Sequence, residues 1–237
     1  METLRNSTKG QFQPFNLSSE NQIKELRNLV KKKDYIKASL LIQKLPKEAI
    51  DNPAAQILIC EVYEANGDYP KALKCLHQAC DQMEESNPLL FDIYKAMGNI
   101  YLKCGDIDAA EEKYNLAHGI NSEDESLIIN YGVLAIQKGD FNKAKERFAY
   151  VLEKNSQSDV SWVGLALVHR SFSDQELSRA CLLRALDENP LNKIAMTNLY
   201  QWCQQDGVDI SHDYVRNYIE YHPNDSEVQK LALSQRQ

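Results

Sequence analysis

The sequence predicts an all-helical fold, and three observations carry that reading. Glycine and proline are scarce, 9 and 7 in 237 residues, so few breakers interrupt the chain. Apolar residues recur three and four apart, as in Leu26, Leu29, Val30 and Leu40, Leu41, Leu45, the spacing of one helix face. A short motif, x-Gly-Asp-aromatic-x-x-Ala, also returns along the chain, and a period of this length marks stacked structural repeats.

In chain order the copies are Lys32-Lys33-Asp34-Tyr35-Ile36-Lys37-Ala38, Asn66-Gly67-Asp68-Tyr69-Pro70-Lys71-Ala72, Cys104-Gly105-Asp106-Ile107-Asp108-Ala109-Ala110 and Lys138-Gly139-Asp140-Phe141-Asn142-Lys143-Ala144. Their alanines stand at 38, 72, 110 and 144, so the first and last intervals are equal and the middle one is longer by one helical turn. The extra turn falls at Glu84-Glu85-Ser86-Asn87 and is expected to extend a helix end. Continuing the step predicts two degenerate copies, at Ser173–Ser178 and Gly207–His212. Within each copy the glycine suits a helix C-cap of positive φ. The following aspartate suits the N-cap of the next helix. Small residues at Cys60, Gly98, Gly132 and Ala166 are expected to let paired helices approach closely.

The slots Tyr94, Met97-Gly98, Tyr101, Gly105-Asp106, Ala110, Tyr114 and Ala117 resemble those of the tetratricopeptide repeat (TPR) family. So do Tyr131-Gly132, Gly139-Asp140-Phe141, Ala144 and Phe148, and then Trp162, Leu165-Ala166, Ala185 and Pro190. The resemblance implies a right-handed α-solenoid of antiparallel helix pairs. The expected organisation is a flexible tail over 1–17, six repeats over 18–223 with the first, fifth and sixth degenerate, and a capping helix over 224–237. One repeat alone cannot bury its apolar face, so stability comes from stacking neighbours.

Composition narrows the function. Hydrophobic residues make up 43% and charged residues 26%, with a net charge of −7. The acidic balance argues against nucleic acid, which is bound by basic stripes. Apolar runs are short, as in Ile57-Leu58-Ile59-Cys60, which argues against membrane insertion. The N-terminus lacks the apolar stretch of a signal peptide, and the setting expected is a bacterial-type cytoplasm. The six cysteines are expected to be free thiols.

No catalytic or phosphate-binding signature appears, so an enzyme, a cofactor and a metal are not expected. Cys75 and His77 point about 200° apart on a helix, a poor geometry for a shared ion. His169 and Arg170 beside Ser171 and Ser173 are read as a helix end. Lys31-Lys32-Lys33 is read as a charge run that complements a helix dipole.

The resemblance implies a concave groove lined by the first helix of each repeat, holding a partner's peptide or amphipathic helix. The groove residues expected are Lys95, Asn99 and Leu102, then Ile129, Asn130, Val133 and Ile136, then Val160, Val163, Leu167 and Arg170. The apolar members stand on slots that are polar when uncovered, and an exposed apolar patch marks a partner site. The function expected is a protein-interaction scaffold or adaptor. One alternative is a pilotin-like or motility and secretion assembly factor. Another is a chaperone or co-chaperone with a partial carboxylate clamp. Lys95, Asn99 and Asn130 match three of the clamp's five positions, while Val160 and Gly164 stand where the family has cations.

Overall fold

The computed structural model describes residues 17–206 and 212–234, and all regular structure in them is helical. The first helices of successive pairs are α1 (Leu17–Lys31), α4 (Pro53–Ala65), α6 (Leu89–Cys104), α8 (Glu125–Gln137), α10 (Asp159–Ser171) and α12 (Lys193–Asp206). Their partners are α2 (Tyr35–Ile42), α5 (Tyr69–Asp81), α7 (Ile107–Ile120), α9 (Phe141–Lys154), α11 (Gln175–Glu188) and α13 (His212–Tyr221). A one-turn helix α3 (Lys47–Ile50) follows α2, and α14 (Ser226–Ser234) comes last. The fold is thus an all-α solenoid of helix pairs. Of the tail expected over 1–17 all but Leu17, which opens α1, lies outside the described residues, as does the copy expected at 207–212 apart from His212, which opens α13.

The turn inside each pair follows from two residues. Gly67, Gly105 and Gly139 have φ of +76°, +79° and +76°. The next residue's amide, in Asp68, Asp106 and Asp140, donates to the carbonyl five residues back, the six-to-one bond of a Schellman cap. That same aspartate then caps the following helix. Its carboxylate accepts from the backbone N–H of Lys71, Ala109 and Lys143 respectively. Asp34 and Asp174 do likewise with Lys37 and Leu177. In these two pairs the glycine's place is taken by Lys33 and Ser173, at φ of +56° and +62°. The turn geometry survives there at the cost of a side chain in the left-handed region.

Two local expectations need correction. Residues 84–87 are not themselves helical, although α6, at 16 residues, is longer than the 13-residue α4, α8 and α10. Helix α5 stops at Asp81, α6 starts at Leu89, and the Asn87 N–H closes a turn onto the Glu84 carbonyl at 2.9 Å. Pro88 follows and disfavours helix in the residue before it. The apolar set Leu40, Leu41, Leu45 does not share one helix either. Helix α2 stops at Ile42, because a helix continued to Pro46 would drive the proline ring into the Ile42 carbonyl. Pro46 instead caps α3, and Leu40 is left 54% exposed.

The described residues fall into two compact units, Met1–Ile100 and Tyr101–Gln237, with α6 running past the division. The core of the first gathers Leu26, Val30, Ala38, Ala49, Ala55, Ile59 and Val62 from α1 to α4. In the second, one cluster joins α10 to α14 through Leu182, Leu186, Met196, Leu199, Val215 and Val228. The motif alanines 38, 72, 110 and 144 are all fully buried. In the fifth pair Ser178 takes that position, buried, its hydroxyl donating to the Ala166 carbonyl at 2.8 Å. A polar residue is tolerated there because its hydrogen bond is made.

Packing between pairs is also periodic. Asn155 donates to the Glu125 carboxylate, and one repeat later Asn189 donates to Asp159 at 2.7 Å. At the C-terminal end Asp225 accepts from the N–H of Val228 and the hydroxyl of Tyr218. Lys193 reaches both Asp225 and Glu227, at 2.9 and 2.6 Å.

These aspartates set an acid limit. Hydrogen bonds from Lys37 and Lys71 hold Asp34 and Asp68 below the usual carboxylate range, and Lys193 does the same for Asp225. A depressed native pKa means that the unfolded chain binds more protons, so the stabilisation is complete above the unfolded value of about 3.9. It is lost as pH falls through the native values. The urea midpoint is therefore expected to be level from about pH 7 to 5 and to drop below about pH 4. An Asp34→Asn, Asp68→Asn, Asp225→Asn variant is expected to show a shallower drop.

Candidate functional site

The groove residues expected from the sequence lie on three first helices. Lys95, Asn99 and Leu102 are on α6, Ile129, Asn130, Val133 and Ile136 on α8, and Val160, Val163, Leu167 and Arg170 on α10. Lys95 and Asn99 belong to the first compact unit and the others to the second, so the two groups are described separately.

In the first unit, Lys95 is half-buried. Its ammonium lies 4.6 Å from the Phe91 ring centroid and 3.8 Å from the Asp92 carboxylate. Asn99 is half-buried one turn on.

In the second unit the rest of the set divides by burial. Ile129, Val133 and Ile136 are half-buried and pack against the cluster of Ala135, Ala144, Phe148 and Val168. Asn130 and Leu167 are also half-buried. Val160 is 49% exposed, and Arg170 is exposed, its guanidinium donating to the Asn198 side-chain oxygen at 3.0 Å. Two members must be corrected. Val163 is 5% exposed within the core cluster that includes Ala166, Met196 and Leu199, and Leu102 is 9% exposed. The resemblance and the helical phase together put both on the open side. Phase does not show how far a neighbouring repeat leans over a residue.

The reason for that close approach is visible at Phe148. The ring from α9 sits against two backbones that have no side chain in its way. A Cβ at Gly132 would lie 2.7 Å from the ring, and a Cβ at Gly164 would lie 2.5 Å from it. Helices α8, α9 and α10 therefore meet around one aromatic residue. Position 164 has no room for a side chain, so the cation that a carboxylate clamp needs there cannot be carried on this backbone.

The same helical phase places Ile194 on a groove slot of the sixth repeat, beyond the principal set on α6, α8 and α10. It stands on α12, one repeat after Val160, and is 59% exposed. The repeat step does not mark Trp202 and Asn198 on the same helix, because their counterparts one repeat back, Val168 and Gly164, are buried.

The other chemistry-bearing groups have structural partners. The Ser171 hydroxyl donates to the Val168 carbonyl at 2.7 Å, and His169 Nδ1 stands 3.9 Å from the Asp174 carboxylate. Cys80 contacts the Tyr94 hydroxyl at 3.8 Å, while burial raises the pKa of the Cys75 thiol. His77 is exposed. All six cysteines are free thiols. Among the described residues no group of three metal-ligating side chains comes together, and no helix is long and apolar enough to cross a membrane.

No protein-family model matches the chain. It is 28% identical over 155 residues to a TPR repeat-containing protein of Methanocaldococcus jannaschii, covering 61% of this chain and 26% of that protein. It is also 28% identical over 152 residues to tetratricopeptide repeat protein 1 of Schizosaccharomyces pombe, covering 63% of this chain and 14% of that protein. The chain thus spans about a quarter of the first relative's length and less of the second's. Among solved structures, the type IV pilus biogenesis factor PilW superposes with a TM-score of 0.67 at 15% identity, over 92% of this chain and 99% of that one. YrrB, described as a TPR protein with an unusual peptide-binding site, gives 0.53 at 18% identity, over 78% and 97%. With its Gly-Asp turns and its recurring helix pairs, the chain has the fold of the tetratricopeptide repeat proteins it resembles.

Proposed function

We propose that this protein is a non-enzymatic interaction scaffold that holds a partner peptide or amphipathic helix along the first helices α8, α10 and α12. The observation that carries the proposal is the pair Val160 and Ile194. They occupy the same register position in successive repeats and are 49% and 59% exposed. An apolar residue left open twice at one repeat position forms a stripe rather than a scattered exposure. The half-buried Ile129, Val133, Ile136 and Leu167 supply shallower apolar contacts. Arg170 and Gln201, both exposed, supply the polar rim found around interface cores. A partner with apolar anchors at helical spacing suits such a surface. The peptide-binding site named for YrrB supports a peptide as the partner class.

The test is a Val160→Asp/Ile194→Asp variant. Both positions are exposed, so the thermal midpoint is expected to stay near that of the parent. Affinity for the partner captured by the parent is expected to fall at least about tenfold, or about 1.4 kcal/mol. Equal affinity at an unchanged midpoint would place the partner elsewhere.

A further inference from the structure

We propose that the fifth and sixth repeats contain a pocket for a carboxylate, the side chain of a glutamate or aspartate carried by the bound partner. The proposal rests on the scaffold reading only in making the partner the source of that carboxylate. An open cavity of about 170 Å³ lies among α10, α11 and α12. Water occupies about 30 Å³ per molecule in the liquid, so this space suits the few heavy atoms of one acidic side chain.

Its lining matches that ligand. Leu167, Leu182 and the Trp202 ring form apolar walls, which suit a methylene stem. The Arg170 guanidinium supplies a charge, and the Asn198, Gln201 and Gln205 carboxamides supply neutral donors. Among the described residues no aspartate or glutamate lines the cavity. The Arg170 guanidinium donates to the neutral Asn198 oxygen. Among the described residues it forms no ion pair with a carboxylate.

A second feature is independent of the charge. The Trp202 Nε1–H is shielded from solvent and has no hydrogen-bond acceptor among the described residues. A buried donor without an acceptor is costly and calls for an explanation. A carboxylate oxygen in the cavity would satisfy it once a small rotation of the indole turned the N–H toward the ligand. The indole itself is held by Arg179, whose guanidinium stacks 4.8 Å from the ring centroid. One guanidinium with neutral donors suits a monoanion. A phosphate dianion would need a second cation, and the described lining has none.

The test needs no partner. The chain has two tryptophans, so an ¹⁵N-labelled sample shows two indole N–H signals. The Trp162 indole already donates to the Ser156 carbonyl at 2.9 Å and serves as the internal reference. Its position also reports that variants keep the fold. The probe is N-acetylglutamate amide, with N-acetylglutamine amide and inorganic phosphate as comparisons. The expected result is a saturable downfield shift of the Trp202 signal with the glutamate probe alone. Arg170→Met is expected to weaken it about tenfold or more, with partial recovery in Arg170→Lys. No shift, an equal shift with the glutamine probe or phosphate, or an unchanged response in Arg170→Met would overturn the proposal. These outcomes are read on the free protein. They are therefore separate from the partner affinity of the Val160→Asp/Ile194→Asp variant, which tests the scaffold reading.

Discussion

Replacing Phe148 with alanine is expected to lower stability by about 3–5 kcal/mol, the range for removing a large aromatic side chain from a packed core. Phe148 is 1% exposed and lies against the backbones of two first helices, at Gly132 and Gly164. Its loss leaves a void that neither glycine can fill. The converse change tests the same contact from the other side. Gly164→Ala puts a methyl group 2.5 Å from the ring and is expected to cost about 1–3 kcal/mol through overpacking. The two effects should not add. On a Phe148→Ala background the alanine at 164 has space, and the change is expected to become neutral or to stabilise by up to about 1 kcal/mol. Urea melts of the four proteins close the cycle. Additive costs would show that the strain at 164 comes from another neighbour.

Gly139→Ala is expected to destabilise by about 1–2 kcal/mol, the penalty of a Cβ in the left-handed region. Nothing lies within 4 Å of the added Cβ, so packing contributes nothing and the backbone accounts for the whole effect. Gly119 offers the control. A Cβ there also meets nothing within 4 Å, but this glycine sits in the last turn of α7. Gly119→Ala is therefore expected to stabilise by about 0.5–1 kcal/mol. Ser173→Gly, at φ +62°, is expected to stabilise as well, because it relieves the same strain that Gly139→Ala introduces. Thermal midpoints with the order Gly119→Ala above parent above Gly139→Ala would confirm the assignment. A loss at both glycines would point to a role for Gly119 outside its helix.

The all-helical fold, the pairing of helices and the turns between them were legible in the amino-acid sequence. They rest on interactions between near neighbours in the chain. An aspartate caps the N–H three residues on, and a glycine permits positive φ at the residue before it. A buried alanine follows four residues after the cap. These relations repeat wherever the residues repeat, and Asp34 and Asp174 preserve the cap even where Lys33 and Ser173 replace glycine. Helical phase also placed the expected groove residues on first helices. What only the tertiary structure decided is which of those residues remain open. Val160 and Val163 are three apart on one helix face, yet one is 49% exposed and the other 5%. The difference is set by how closely successive repeats approach. That approach depends on Phe148 filling the space left by Gly132 and Gly164, which stand on the helices before and after its own. The pocket beside Trp202 has the same origin. It gathers side chains from three helices, and no spacing along the chain records their meeting.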